Sequence, residues 1–63
     1  MRIWEARVKK GLSLTELSNR TGISRSALNN YENGTKYPTL IQMEKIAEVL
    51  DTSISNLYES PFK

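Results

Sequence analysis

Residues 24–33 pose the most pointed chemical question in this 63-residue sequence. At helical spacing, one face of the segment collects Ser24, Arg25, Ser26, Asn29 and Asn30, with Asn33 just beyond. Short and medium hydrogen-bonding side chains of this kind suit the edges of nucleobases and the oxygens of phosphates. A merely solvated helix face would favour Glu and Lys, which are better helix formers. Asparagine lowers helix propensity there, so something other than helix stability selects it. Competing chemistries lack their groups. The chain has no cysteine and no histidine, which excludes disulfides, finger-type zinc sites and histidine-dependent acid–base catalysis. There is no nucleophile–base pair, phosphate loop or metal cluster. So short a chain leaves no room for a pocket of about 300 Å³ or more. The expectation is a binding module without catalytic residues, cofactor or metal.

The elements that must hold that face are legible from glycine, proline and cap residues. Gly11, Gly22, Gly34, Pro38 and Pro61 mark the breaks, and between them apolar residues recur at helical spacing. Five helices are predicted, which makes the fold class all-α. The first spans about Arg2 to Lys10, with Ile3 and Ala6 inward, and stops at Gly11. The second follows Ser13, where Ser13-Leu14-Thr15-Glu16 forms a capping box with Leu12 and Leu17 at the staple positions. It ends by Thr21, and Gly22 supplies the positive φ of the turn. Ser24 caps the third helix, which runs to Glu32 or Asn33, and Ile23 and Leu28 again sit at staple spacing. Residues 34–38 form a loop. Thr39-Leu40-Ile41-Gln42 is a second capping box and opens a helix to about Leu50. Ser53 caps a short last helix through Tyr58, and a frayed tail over 59–63 is expected. Leu40, Met43, Ile46, Ala47 and Leu50 are expected in the core.

Residues 14–33 thus hold two short helices joined by a glycine-containing turn, the unit of a helix-turn-helix. A small residue is needed where the two helices cross, and Ser18 supplies it, either burying its hydroxyl or bonding it to its own helix. Inward apolar positions fall at Leu17, Ile23, Leu28 and Tyr31. A generic helical bundle has no reason to place glycine and the small residue at this separation.

Charge adds direction. The formal net charge is only +2. Residues 1–38, however, carry seven basic side chains against three acidic ones, whereas residues 39–63 carry two against four. One end of the molecule is electropositive, which suits a face laid on a polyanion. Glu44 and Glu48 place helix four away from it. Arg2, Glu5, Arg7, Lys9 and Lys10 interrupt any signal-peptide core, and no run approaches membrane-spanning length. A soluble, cytoplasmic protein is expected, with no membrane partner.

Taken in order, Gly11-Leu12-Ser13, Glu16-Leu17, Gly22-Ile23-Ser24-Arg25-Ser26, Tyr31-Glu32-Asn33-Gly34, Pro38-Thr39-Leu40 and Ala47-Glu48-Val49-Leu50 resemble the phage-repressor and Cro type of helix-turn-helix, the XRE family. The resemblance covers roughly residues 3–58. It implies a compact five-helix domain with helix three in the major groove, helix two across the backbone, and a dimer reading a two-fold related operator. Carried over by position, it implies a base-reading set of Arg25, Ser26, Asn29 and Asn30. It implies phosphate contacts by Ser13, Ser24, Asn33, Thr35, Lys36 and Tyr37, partly through backbone N–H groups. It also implies an ion pair between Arg7 and Glu32, and a dimer contact on the last helix at Ile54, Leu57 and Tyr58. The sequence departs from the family at Leu14, where glutamine commonly contacts the backbone, at Ser18, where alanine is usual, and at Thr21, where a larger aliphatic is common. Trp4 has two readings, packing on the C-terminal helix within the chain or joining Tyr58 and Phe62 at an interface.

The function expected is sequence-specific binding of double-stranded DNA by a small dimeric regulator, a repressor, with no small-molecule effector. A protein–protein adaptor or an antitoxin built on the same fold is the alternative. The glutamate-poor polar face of helix three favours DNA.

Overall fold

The computed structural model describes residues 1–58. Five helices follow in order: α1 (Ile3–Lys10), α2 (Leu14–Thr21), α3 (Arg25–Asn33), α4 (Leu40–Val49) and α5 (Ile54–Leu57). Each matches its predicted span to within a residue or so, the ordinary slack of a helix end. The tail over 59–63, and Phe62 with it, lies outside the described residues.

The starts of the helices are set by their own side chains. Ser13 Oγ accepts from the Glu16 N–H at 3.0 Å, and Glu16 Oε1 accepts from the Ser13 N–H at 2.9 Å. Thr39 and Gln42 repeat that box on α4. Ser24 and Ser53 cap α3 and α5 from their hydroxyls. These caps satisfy N–H groups that a helix leaves without internal acceptors. At the turn, Gly22 has φ of 76°, and a Cβ there would meet nothing within 4 Å. Glycine is therefore required for its backbone conformation rather than for space.

The core is built from Ile3, Leu17, Ile23, Leu28, Tyr31, Met43, Ile46, Ala47, Leu50 and Leu57. Around it α2 packs on α3 and α4, α1 on α3, and α5 on α4. The Arg2 N–H donates to the Leu57 carbonyl at 2.8 Å and ties the start of the chain to α5. One expectation fails at the margin of this core. Leu40 shares the inward phase of α4 yet is 65% exposed. It is the first residue of the helix, and that turn runs past the edge of the core. Trp4 is 54% exposed, and with Val8 it stands on the flank of α1. It does not line the open recess between α1 and α5, whose walls are Arg2, Glu5, Ala6, Lys9, Thr52, Ser55, Asn56 and Tyr58 and whose volume of about 470 Å³ exceeds what so short a chain was expected to leave room for. No helix among the described residues is long and apolar enough to cross a membrane.

Candidate nucleic-acid interface

The turn between α2 and α3 is locked by polar side chains of α2. The Ser18 hydroxyl donates to the Ile23 carbonyl at 2.6 Å, across the turn, an outcome other than the two expected, simple burial or a bond to its own helix. Thr21 is buried. Its hydroxyl donates to the Leu17 carbonyl at 2.8 Å and accepts from the Ile23 N–H at 3.2 Å. Both backbone groups of Ile23 thereby meet side chains of the preceding helix. Serine and threonine stand here where alanine and an aliphatic residue are common in the family, and each has a use as a directional bond that fixes the angle between the helices.

α3 is clamped at its C-terminal end from two sides. Arg7 Nε donates to Glu32 Oε2 at 2.8 Å and Nη2 to Oε1 at 3.2 Å, a two-pronged pair. The side chains are only 13% and 6% exposed. Arg7 Nη1 also donates to the Leu12 carbonyl at 3.0 Å, so one guanidinium joins α1, the approach to α2 and the end of α3. On the other side, the Tyr31 hydroxyl donates to Gln42 Oε1 at 2.8 Å. That same oxygen accepts from the Thr39 N–H, so the cap of α4 also holds α3. Among the described residues, no buried side-chain polar atom lacks a partner.

Outward, the arrangement reverses. Arg25, Ser26, Asn29 and Asn33 are all exposed. Arg25, Asn29 and Asn33 fall four residues apart in turn and make one line along the helix, with Ser26 beside it. Neither Arg25 nor Lys36 has a carboxylate within salt-bridge distance among the described residues. A row of polar groups with open hydrogen-bonding capacity, flanked by uncompensated cations, can take up an acceptor-rich anionic surface.

Some expected site residues are placed differently. Asn30 is half-buried and turned toward the loop. Thr35 Oγ1 lies 3.1 Å from Asn30 Oδ1 and 3.2 Å from its carbonyl oxygen. The Thr35 N–H donates to that carbonyl at 3.0 Å, and the Lys36 N–H does so more loosely at 3.4 Å. The Thr35 and Lys36 N–H groups are therefore spent inside the protein rather than open to phosphate. Ser13 likewise spends its N–H and accepts with its hydroxyl within the capping box, leaving the Leu14 and Thr15 N–H groups open at the start of α2. The side chains of Lys36 and Tyr37 are exposed. Leu57 is fully buried in the core, so its side chain is not free for a dimer contact; Ile54 is half-buried and Tyr58 exposed.

Thr15 was not foreseen. Its Oγ1 accepts from Arg25 Nη1 at 3.4 Å, joining the first turns of α2 and α3. A β-branched residue on an exposed first turn, where Glu or Lys is the better helix former, was the signal available.

Two short helices with a locked glycine turn, the second presenting an open polar face, define the class of helix-turn-helix modules. The chain belongs to that family: the helix-turn-helix profile matches residues 5–57. It is 37% identical over 59 residues to the HTH-type transcriptional regulator SinR of Bacillus subtilis (strain 168), covering 92% of this chain and 53% of that protein. It is 39% identical over 57 residues to SinR of Bacillus licheniformis, covering 89% and 51%. The chain thus spans about half the length of these relatives. The solution structure of the N-terminal DNA-binding domain of the master biofilm-regulator SinR from Bacillus subtilis superposes with a TM-score of 0.79 at 33% identity, covering 98% of this chain and 91% of that one.

Proposed function

We propose that the chain is a sequence-specific double-stranded DNA-binding module of a transcriptional regulator, acting as a repressor and working as a dimer on an inverted-repeat operator. The carrying observation is the contrast across α3: inward polar groups are bonded, while Ser26, Asn29 and Asn33 stand open and Arg25, bonded to the Thr15 hydroxyl, has no carboxylate to compensate its charge among the described residues. The match to a DNA-binding domain over nearly the whole chain supports it. Arg25 and Asn29 read base edges with Ser26, because arginine fits the two acceptors of guanine and asparagine the acceptor and donor of adenine. Asn30, tied to Thr35, is a lesser reader. Lys36, Tyr37, Ser24, Asn33 and the open N–H groups at the start of α2 meet the phosphates. One module of this size covers about one half-site, so two copies are needed for useful specificity. Tyr58 and the exposed part of Ile54 form the contact between them. The protein works in the cytoplasm, where its DNA lies, and needs no small-molecule effector.

The test is a selection from randomised duplexes, followed by competition of variants against the selected and a scrambled duplex over a range of salt. Log affinity should fall with log salt at about −0.9 per phosphate neutralised. Arg25→Ala and Asn29→Ala should each cost about 1–3 kcal/mol on the selected duplex and relax one base position. Lys36→Ala should weaken all duplexes alike and flatten the slope by about one unit. Sedimentation should find two copies per inverted repeat. Salt-independent binding, or no effect of either α3 variant, would remove the DNA-binding reading in favour of a protein partner.

A further inference from the structure

Arg25 is the first helical residue of α3, the end at which the helix dipole disfavours a cation. The first turn of α3 carries no acidic residue to offset it. The side chain is exposed, and its one polar partner among the described residues is the hydroxyl of Thr15. Thr15 occupies the second helical position of α2, where glutamate would serve both propensity and dipole better. It plays no part in the cap of α2, which Ser13 and Glu16 complete between themselves. Both residues are thus poor choices for their own helices, and the contact they make is with each other.

The geometry points to Thr15 as a specificity-determining positioning residue that acts through Arg25. This rests on α3 being the base-reading helix. A free arginine on an exposed helix samples many rotamers, and its planar fork is useful only when its direction is fixed. By accepting from Nη1, Thr15 Oγ1 holds the guanidinium at the mouth of the two helices. The opposite edge, Nε and Nη2, stays unoccupied and presents two parallel N–H donors. Arg7 uses that same edge on Glu32. Two acceptors at matching separation are offered in the major groove by the O6 and N7 atoms of guanine. Thr15 therefore makes Arg25 a guanine reader rather than a swinging phosphate contact. Serine in place of threonine keeps the acceptor; valine keeps the shape and removes it.

Wild type, Thr15→Val, Thr15→Ser and Arg25→Ala are each put through selection from a randomised duplex pool, and thermal unfolding and the salt slope are recorded for the same proteins. Wild type and Thr15→Ser should share a guanine preference at one position of each half-site. Thr15→Val should lose about fivefold of that preference, the lower end of what a bidentate base contact contributes, with melting temperature and salt slope unchanged. Arg25→Ala should abolish it. The assignment is overturned if Thr15→Val weakens every duplex alike, if it keeps the wild-type preference, or if Thr15→Ser behaves like Thr15→Val. A wild-type chain that selects no sequence at all removes the DNA-reading function, and this assignment with it. A preference retained in Thr15→Val removes only the role of Thr15.

Discussion

The half of the molecule formed by α2, α3 and the loop after them is held together differently from the half formed by α1, α4 and α5. In the second, Ile3, Met43, Ile46, Ala47, Leu50 and Leu57 bury apolar area, and the acids Glu44, Glu48 and Asp51 face water. In the first, the apolar contribution is Leu17, Ile23, Leu28 and Tyr31, and directional bonds supplement it: Ser18 and Thr21 on Ile23, Glu32 on Arg7, Tyr31 on Gln42. Hydrophobic burial is non-directional, so it stabilises a helix without fixing its rotation closely. On the proposed function, α3 has to present Arg25 and Asn29 at a set angle, and that needs bonds that depend on direction. It must also leave its outer face unpaired, so those bonds have to lie on the inner side. Area supplies stability in one half, and polar clamps supply orientation in the other.

The largest break in that comparison comes from one end of the α3 clamp. A nearly buried ion pair contributes little net stability, but removing one partner leaves the other charge uncompensated. Arg7→Ala or Glu32→Ala should each cost about 3–5 kcal/mol in urea unfolding, comparable to the whole stability a domain this small commonly has. The double variant should lose less than the sum of the singles. Arg7→Lys should recover little, because an ammonium cannot reproduce the two-pronged contact and the bond to the Leu12 carbonyl together. Strict additivity of the singles would show that the pair acts as two separate charges and that the clamp is not what fixes α3.

The supporting half gives a sharper contrast between the two ends of α4, its first residue Leu40 and its C-cap Leu50. Leu50→Ala empties a core position and should cost about 2–5 kcal/mol. Leu40→Ala should stay within about 0.5 kcal/mol, since its side chain is largely in water. Chemical denaturation of both variants checks this. Equal losses would mean that the first turn of α4 is covered in solution.

Leu40 also shows where sequence reasoning stops. Periodicity assigned its face of α4 correctly but carries no information on where along its axis a helix leaves the core. Caps and glycines, by contrast, are local devices, so both capping boxes and the turn at Gly22 were legible to the residue. The Arg7–Glu32 pair followed from family resemblance rather than from periodicity, because nothing local links residues 25 positions apart. Asn29 and Asn30 are alike in type and adjacent in sequence. One step of about 100° separates an open side chain from one held by the loop, and only the path of residues 34–36 decides which is which. The interface role of Leu57 is implied by the family resemblance, which speaks for the last helix as a whole and not for each of its side chains. The burial of Leu57 depends on the groove that α4 offers, which is a tertiary fact.

The smallest expected effect lies in the half formed by α2 and α3 and tests whether its local devices act independently of the clamps. The Ser13 backbone N–H, and after it the Ser13 hydroxyl, hold the Glu16 carboxyl below its ordinary value of 4.5, with Arg20 one turn along as a lesser contributor. A carboxyl whose pKa is depressed by folding contributes stability that is fully present above its unfolded value and lost as pH falls through its folded value. Glutamine at the same position can still accept from the Ser13 N–H, so the capping box survives Glu16→Gln while its titration does not. Wild type should therefore hold a small advantage over Glu16→Gln near neutral pH. That advantage should shrink as pH falls below the ordinary glutamate range and vanish in stronger acid. Thermal unfolding of the two proteins across that range measures it. The carboxylate is fully exposed, so moderate salt should also reduce the part that comes from Arg20. A difference that is flat with pH would place the role of Glu16 in helix propensity and packing instead. A difference that grows as pH falls would mean the carboxyl is protonated more readily in the folded chain, and that the start of α2 does not favour the negative charge the capping box places there.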